Sequence, residues 1–361
     1  MNESDFFQED YTGPFSSDKI LNHLPEVAQL ITDPVSVKPI TVEWHLSNIC
    51  THNCPHCTFK NLPKGDLFDY ALVDDVICDL REMGVKAIVY SGGGEPLEYD
   101  YSNSVFTKAH LAGIEQGLIT NGKELWDLTI RKAIVENLSW CRISVDAVGQ
   151  KTYTKTHGVD DGFEALLRNI VELVKLRRKV KSKTKIGVSF LLTEDNYLDL
   201  KEAAYMFSQS GVDYFQVKPL VVKNAPEVNP FWRGMLYNSL ISLQDYETGD
   251  YKIYIQGHKF RDVLTKASLK FCKCHGHPFY PVITPSGKVY VCCMMIGRED
   301  CLYGTITKTK RFKDIWDSEI RYKIGKSVGV NHCPINCKLA ETNKTLEAIF
   351  LKDSEDKNFL N

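Results

Sequence analysis

The sequence predicts an α/β fold, a partial (β/α)6 barrel of parallel strands followed by a small cysteine-rich α+β domain. Two observations carry that prediction. From Thr41 to Lys218, short β-branched or aromatic runs alternate with longer stretches of helical period, a rhythm that packs as parallel strands joined by right-handed crossovers. After Lys218 the rhythm stops, and seven of the 12 cysteines fall in the last 90 residues.

The elements follow in chain order. Residues 1–40 carry Gly13-Pro14, Pro25, Pro34 and Pro39 around one short helix near Ile20–Ile31, and form an N-terminal extension too short to fold alone. The barrel occupies 41–222, with strands at Thr41–Leu46, Ala87–Tyr90, Gly117–Thr120, Cys141–Val145, Ile186–Leu192 and Tyr214–Val217. Helices near Tyr70–Met83, Ser104–Gln116, Lys123–Glu136, Gly162–Lys179 and Tyr197–Gln209 separate them. In the first of these, Val73, Val76, Ile77 and Leu80 recur at i, i+3, i+4 and i+7, which makes one buried face. Residues 223–270 form a linker region with a helix near Phe231–Leu243 and a turn into a strand at Tyr251–Ile255. Residues 271–361 form the second domain, with a hairpin of Pro281–Thr284 and Val289–Cys292 about a Pro285-Ser286-Gly287-Lys288 turn, then a helix near Lys313–Ile324.

Composition excludes several functions. A formal net charge of −2 gives no long-range attraction for phosphate backbones, so bulk nucleic-acid binding is not expected. The basic run from Lys175 to Lys185 spans a helix end and its following loop, where cations complement the helix dipole. No apolar run spans a bilayer, and MNESDFFQED lacks the basic and apolar regions of a signal peptide, so a cytoplasmic protein without membrane contact is expected. There thiols stay reduced, and clustered cysteines read as metal ligands.

Cys50, Cys54 and Cys57 follow the first strand at C-x3-C-x2-C spacing. Three thiolates hold three corners of a cubane iron–sulfur cluster and leave one iron open to another molecule. A zinc site using His52 or His56 as fourth ligand is the alternative. Directly after the second strand stands Ser91-Gly92-Gly93-Gly94-Glu95-Pro96, whose glycines permit close backbone approach and whose carboxylate suits an ammonium. On the fourth strand Ser144 and Asp146 share a face with Arg142, and Thr120-Asn121-Gly122 ends the third.

These motifs, in this order over residues 41–218, resemble the radical SAM superfamily. The resemblance implies that the open iron binds S-adenosylmethionine (SAM) and cleaves it reductively to a hydrogen-abstracting radical. It implies that Gly92, Gly93, Gly94 and Glu95 hold the methionine ammonium, and that Ser144 and Asp146 reach the ribose and carboxylate. His56 stands where most relatives carry an aromatic against the adenine. A low-potential reducing partner such as flavodoxin or ferredoxin is implied.

In the C-terminal domain, Cys274 and Cys292 bracket Gly287, and Cys333-Pro334-Ile335-Asn336-Cys337 closes the set. The pattern resembles the auxiliary-cluster domains, SPASM or twitch, that follow many radical SAM barrels, and implies at least one auxiliary 4Fe-4S cluster on Cys274, Cys292, Cys333 and Cys337. Cys272 is an alternative to Cys274, a second cluster using Cys272, Cys293 and Cys301 is a further possibility, and a structural zinc is the alternative for the whole set. Cys78 and Cys141 read as packed side chains.

The expected substrate is a small polar molecule, sugar- or aminocyclitol-like, that is oxidised, epimerised or dehydrated. A peptide or protein side chain is the alternative, disfavoured because 40 N-terminal residues are too few for a leader-recognition domain. A non-catalytic electron-transfer protein is the reading from a different class. Glu43, His45, Gln216 and Lys218, expected to face into the barrel, are further candidates for substrate contact.

Overall fold

The structure is a computed structural model that describes residues 16–221, 230–265, 269, 271 and 273–351; Cys272 lies outside them. Its centre is a ten-stranded sheet that does not close. The strands are β1 Thr41–His45, β2 Ala87–Ser91, β3 Glu115–Thr120, β4 Trp140–Ser144, β5 Lys185–Leu192, β6 Tyr214–Pro219, β7 Lys252–Ile255, β8 Val282–Ile283, β9 Lys288–Tyr290 and β10 Leu302–Thr305. Strands β1 to β7 pair in sequence order and all are parallel. The expected six-stranded barrel thus gains a seventh strand, contributed by the stretch read as a linker. At the other edge β8 pairs parallel with β1, and β9 and β10 continue antiparallel, so the cysteine-rich segment extends the barrel's own sheet.

The helices are α1 Leu24–Thr32, α2 Val73–Glu82, α3 Ser102–Leu111, α4 Leu128–Asn137, α5 Gln150–His157, α6 Phe163–Lys179, α7 Leu200–Ser210, α8 Pro230–Ile241, α9 Gly257–Leu264, α10 Phe312–Trp316, α11 Glu319–Ser327 and α12 Ala340–Leu351. Three differ from expectation for local reasons, one of them at Lys123–Glu136, where Asp127 is extended and its carboxylate accepts from Thr129 N–H to start α4 afresh. The helix expected at Ser104–Gln116 is shorter, because Gly113 takes a left-handed φ of 77° just past its end. The helix expected at Lys313–Ile324 divides, because Ser318 is extended and its hydroxyl accepts from Arg321 N–H to start α11 afresh. Helix α5 carries too little apolar pattern to be seen in the sequence.

Alternation along each strand sends one set of side chains to the helices and the other into the barrel lumen. Val42 and Trp44 of β1 are fully buried on the helix side, as are Val73, Val76 and Leu80 of α2. The N-terminal segment packs through Ile20, Val27, Val37 and Ile40 on Phe279 and Leu346 of the C-terminal region. Trp316 Nε1 donates to Val37 O at 2.8 Å, and the Arg321 guanidinium donates to Val35 O. Among the described residues no helix is long and apolar enough to cross a membrane.

Candidate active site and metal centres

The lumen is a cavity of about 1680 Å³. Its floor is shaped by two glycines. A Cβ on Gly117 would lie 2.1 Å from the Trp140 ring, and one on Gly187 would lie 2.0 Å from the Tyr214 ring. Those two aromatic rings therefore cross the sheet where a side chain is missing. The Arg142 guanidinium sits 5.4 Å from the Trp140 ring centre. Above it, Ser144, Ser189, Gln216 and Lys218 line the same cavity.

The cysteine loop lies over the C-terminal ends of the strands, the end where parallel barrels carry their sites. Cys50 and Cys54 are half-buried, Cys57 is exposed, and all three line the lumen. The end of α5 anchors the loop. Asn53 N–H donates to His157 O at 3.0 Å, and a Cβ on Gly158, itself at φ 64°, would lie 2.3 Å from Asn53 O. His157 Nδ1 lies 3.7 Å from Cys54 Sγ, and its Nε2 faces Val145 O at 2.8 Å. Burial pushes the His157 imidazole down to about 4 and the Cys54 thiol up to about 12, so the sulfur requires a metal's charge to ionise near neutrality.

His52, one donor of the zinc alternative, is turned away, with Nε2 2.8 Å from the Tyr153 hydroxyl and Nδ1 3.0 Å from Asn121 Nδ2. The other, His56, is exposed on the cavity rim. Among the described residues no three His, Cys, Asp or Glu side chains converge on one ion position. A cubane asks for no such convergence, since each thiolate meets its own iron.

The glycine motif is welded to this loop. A Cβ on Gly94 would lie 2.2 Å from Ile49 O, one on Gly93 2.2 Å from Asn48 Oδ1, and Glu95 N–H donates to Ile49 O at 2.8 Å. Gly92 lines the lumen beside them. The Glu95 carboxylate is buried and accepts from Thr120 Oγ1 at 2.6 Å, Asn121 N at 2.8 Å and Leu97 N at 3.2 Å, joining the ends of β2 and β3. Burial outweighs those donors and raises it to about 7. Ser144 and Asp146 line the cavity, as the alternation requires. Asp146 has a left-handed φ of 53°, which an Asp tolerates better than most residues, and Leu191 N–H donates to its Oδ1 at 2.5 Å.

In the C-terminal domain Cys274, Cys292, Cys333 and Cys337 line one small cavity of about 20 Å³. Asn343, fully buried on α12, donates from Nδ2 to Cys274 Sγ at 3.5 Å and accepts from His275 and Gly276 N–H. Leu339 N–H donates to Cys337 Sγ at 3.4 Å. Four cysteines lining one cavity, with N–H donors aimed at two of their sulfurs, supply the number and kind of ligands a cubane takes. Buried Cys293 instead lines the barrel lumen, and Cys301 lines neither cavity. Cys141 is buried against the helices, and Cys78 Sγ donates to Glu82 Oε1 at 3.4 Å.

Sequence reasoning missed His157, Asn343 and Lys338. Lys338 pairs with Glu43 across 295 positions of chain, and its Nζ lies 3.8 Å from the Tyr280 ring centre. No local period encodes such a contact.

An open parallel barrel carries three thiols at its mouth, and the C-terminal region places four more cysteines around a second cavity. Comparison with known families agrees. Residues 44–204 match the radical SAM superfamily, and residues 258–338 match SPASM, an iron–sulfur cluster-binding domain. The chain belongs to the radical SAM superfamily and carries a C-terminal SPASM domain. Its cofactors are therefore SAM and 4Fe-4S clusters, catalytic and auxiliary. A cofactor-modifying protein for tungsten-containing aldehyde ferredoxin oxidoreductase, from Pyrococcus furiosus, is 25% identical over 81% of this chain and 84% of its own length. Pre-heme d1 synthase of Dinoroseobacter shibae is 27% identical over 51% of this chain and 44% of its own length. Among solved structures, Streptococcus suis SuiB bound to S-adenosylmethionine aligns with a TM-score of 0.62 at 15% identity, covering 95% of this chain and 82% of SuiB, a likeness of fold.

Proposed function

We propose that this chain is an enzyme that abstracts hydrogen from an unreactive C–H bond of a small polar molecule held in the barrel lumen, leading to oxidation, epimerisation or dehydration. One observation carries the reading. A single cavity is lined by Cys50, Cys54, Cys57 and Glu95 on one side and by Gln216, Lys218, Cys293 and Lys338 on the other. The cavity runs on past the Trp140 and Tyr214 rings to Lys86, Glu115 and Lys185 at the other end of the strands, and its whole volume of about 1680 Å³ exceeds the roughly 300–1,000 Å³ of an ordinary small-molecule site.

In this reading Cys50, Cys54 and Cys57 hold the catalytic cluster, and Cys274, Cys292, Cys333 and Cys337 hold the auxiliary one. Bound SAM supplies the hydrogen-abstracting 5′-deoxyadenosyl radical once a low-potential protein partner delivers an electron. The chain's residues do the positioning. Glu95 and the backbone of Gly92–Gly94 hold the methionine ammonium, Ser144 and Asp146 the ribose and carboxylate, and His56 covers the adenine. Asn121 fixes Cys50 and His52 on the protein side. Trp140 and Tyr214 narrow the lumen below the site. Lys338 and Cys293 bring the C-terminal domain to the substrate's edge of the lumen.

The test is deuterium transfer. Reconstituted enzyme incubated with SAM, dithionite and site-deuterated candidate substrates should place deuterium in 5′-deoxyadenosine with one of them. Transfer only from peptides, and from no small molecule, contradicts the substrate class.

A further inference from the structure

Between β4, β6 and α9 the lumen holds an imbalance of charge. Arg142, Lys218 and Lys259 all line it there with Asp146 as the carboxylate lining the wall among them, while Glu341 and Cys337 also act on Lys259. The neighbouring Glu43 is taken by Lys338, with Ser91 Oγ at 2.6 Å and His45 Nε2 at 2.9 Å on its other oxygen. Among the described residues neither Lys218 nor Lys259 makes an ion pair or a side-chain hydrogen bond. Such clustering raises the energy of the empty site. Burial and the adjacent Arg142 and Lys259 push the Lys218 ammonium down to about 7, with Asp146 compensating in part.

Two carboxamides complete the surface. Gln216 is 1% exposed and Gln256 8%, and the Oε1 of each lacks a donor among the described residues. An amide can rotate, so each can offer either N–H to an oxyanion or oxygen to a hydroxyl. Gln256 also precedes α9, and among the described residues no side chain caps that helix's first turn. The uncapped N–H groups and the helix dipole favour negative charge there.

We propose that this part of the lumen binds a polyanionic small molecule, one carrying at least two carboxylate or phosphate groups, through Arg142, Lys218, Lys259 and the amides of Gln216 and Gln256. The inference deepens the reading of the lumen as a substrate site and rests on it. It also narrows the substrate, because a free aminocyclitol would bring an ammonium to three cations. A sugar acid, a sugar phosphate or a polycarboxylate has the required charge.

The experiment uses the holoenzyme saturated with SAM, anaerobically and at low ionic strength, with calorimetric titration of three probes. The probes are pyrophosphate, propane-1,2,3-tricarboxylate and uncharged myo-inositol. The expected result is binding of at least one anion, weakened by added salt, and no binding of inositol. Pyrophosphate alone points to a phosphate ester and the tricarboxylate alone to a carboxylic acid. Lys218→Met and Lys259→Met should each weaken the anion at least tenfold, while Lys218→Arg restores most of it; iron content verifies that each variant is assembled. Failure of both anions to bind while SAM is bound, anion binding only in competition with SAM, or unchanged affinity in both Met variants overturns the proposal. Release of 5′-deoxyadenosine by the same preparation reads the enzyme assignment separately, so either can fail alone.

Discussion

The Lys338 ammonium pairs with the Glu43 carboxylate inside the barrel and thereby ties the C-terminal domain to the catalytic motif. Lys338 follows Cys337 directly. Glu43 Oε1 faces His45 Nε2 at 2.9 Å, and His45 Nδ1 accepts from Gly93 N–H at 3.1 Å. The Gly93 donor fixes the tautomer, so Nε2 carries the proton given to Glu43. Three contacts thus link the auxiliary-cluster loop to the glycine motif. The ammonium beside it holds the Glu43 carboxyl well below the usual carboxylate range despite burial.

Breaking this link should be costly. Lys338→Met leaves the Glu43 charge buried and unpaired, where loss of one partner costs about 3–5 kcal/mol in a fully buried pair. With the lysine side chain 30% exposed, we expect about 2 kcal/mol by urea unfolding of the holoenzyme. The double variant Lys338→Met/Glu43→Gln should recover part of that loss. Equal stability of wild type and Lys338→Met would show that the pair contributes nothing.

Gly94→Ala tests the weld between the glycine motif and the cysteine loop. Gly94 does not have a positive φ, so backbone freedom is not the reason for glycine there. The reason is space, since the new Cβ would meet Ile49 O at 2.2 Å and Asn48 C at 2.6 Å. Overpacking of this kind costs about 1–3 kcal/mol, and the displaced loop carries Cys50. The expected result is a lower midpoint of thermal unfolding and loss of the SAM-responsive cluster signal in electron paramagnetic resonance. The auxiliary signal should remain.

The two cysteine sets should separate cleanly. Cys54→Ala should remove the cluster whose spectrum changes when SAM is added. Cys333→Ala should remove a cluster that does not respond to SAM. Each variant should lose iron, up to about four atoms per chain when a whole cubane is lost. A zinc-loaded C-terminal site, read by metal analysis, would contradict the second assignment.

Glu95 sets a pH dependence for cofactor binding. Burial raises it to about 7, opposed by Thr120, Leu97 and Asn121 and assisted by Glu98. Between pH 5.5 and 7 the methionine ammonium stays charged while Glu95 ionises, and Asp146, raised by burial to about 6, ionises in the same window. SAM affinity, by equilibrium dialysis, should therefore rise with pH through that window, toward tenfold per unit at its lower end. Glu95→Gln should bind weakly and lose the part of the slope near pH 7, leaving only the contribution of Asp146. A flat wild-type profile would show that Glu95 does not meet the ammonium.

Much of the barrel was legible because its signals are local. Alternation placed Ser144, Asp146, Gln216 and Lys218 in the lumen, and the structure puts all four on the cavity wall. The resemblance to SPASM domains implied one ligand set of Cys274 or Cys272 with Cys292, Cys333 and Cys337, and the structure puts Cys274, Cys292, Cys333 and Cys337 around one cavity. What stayed hidden depends on packing between distant segments. Strand β7 was visible as a strand, but its pairing with β6 was not, because the intervening residues carry no βα rhythm. His157 gave no sign of reaching Cys54, since α5 is mostly polar and the two residues lie 103 positions apart. Cys293 follows a predicted ligand directly, and only the turn of the chain there sends it to the other cavity.

The most direct test of the central claim is product analysis of the reaction with SAM. Anaerobically reconstituted protein, reduced with dithionite and given SAM, should release 5′-deoxyadenosine and methionine, measured by liquid chromatography and mass spectrometry. Cys54→Ala should release neither. Absence of 5′-deoxyadenosine from a preparation with full iron and sulfide content, in the presence and absence of cell extract, would contradict the account.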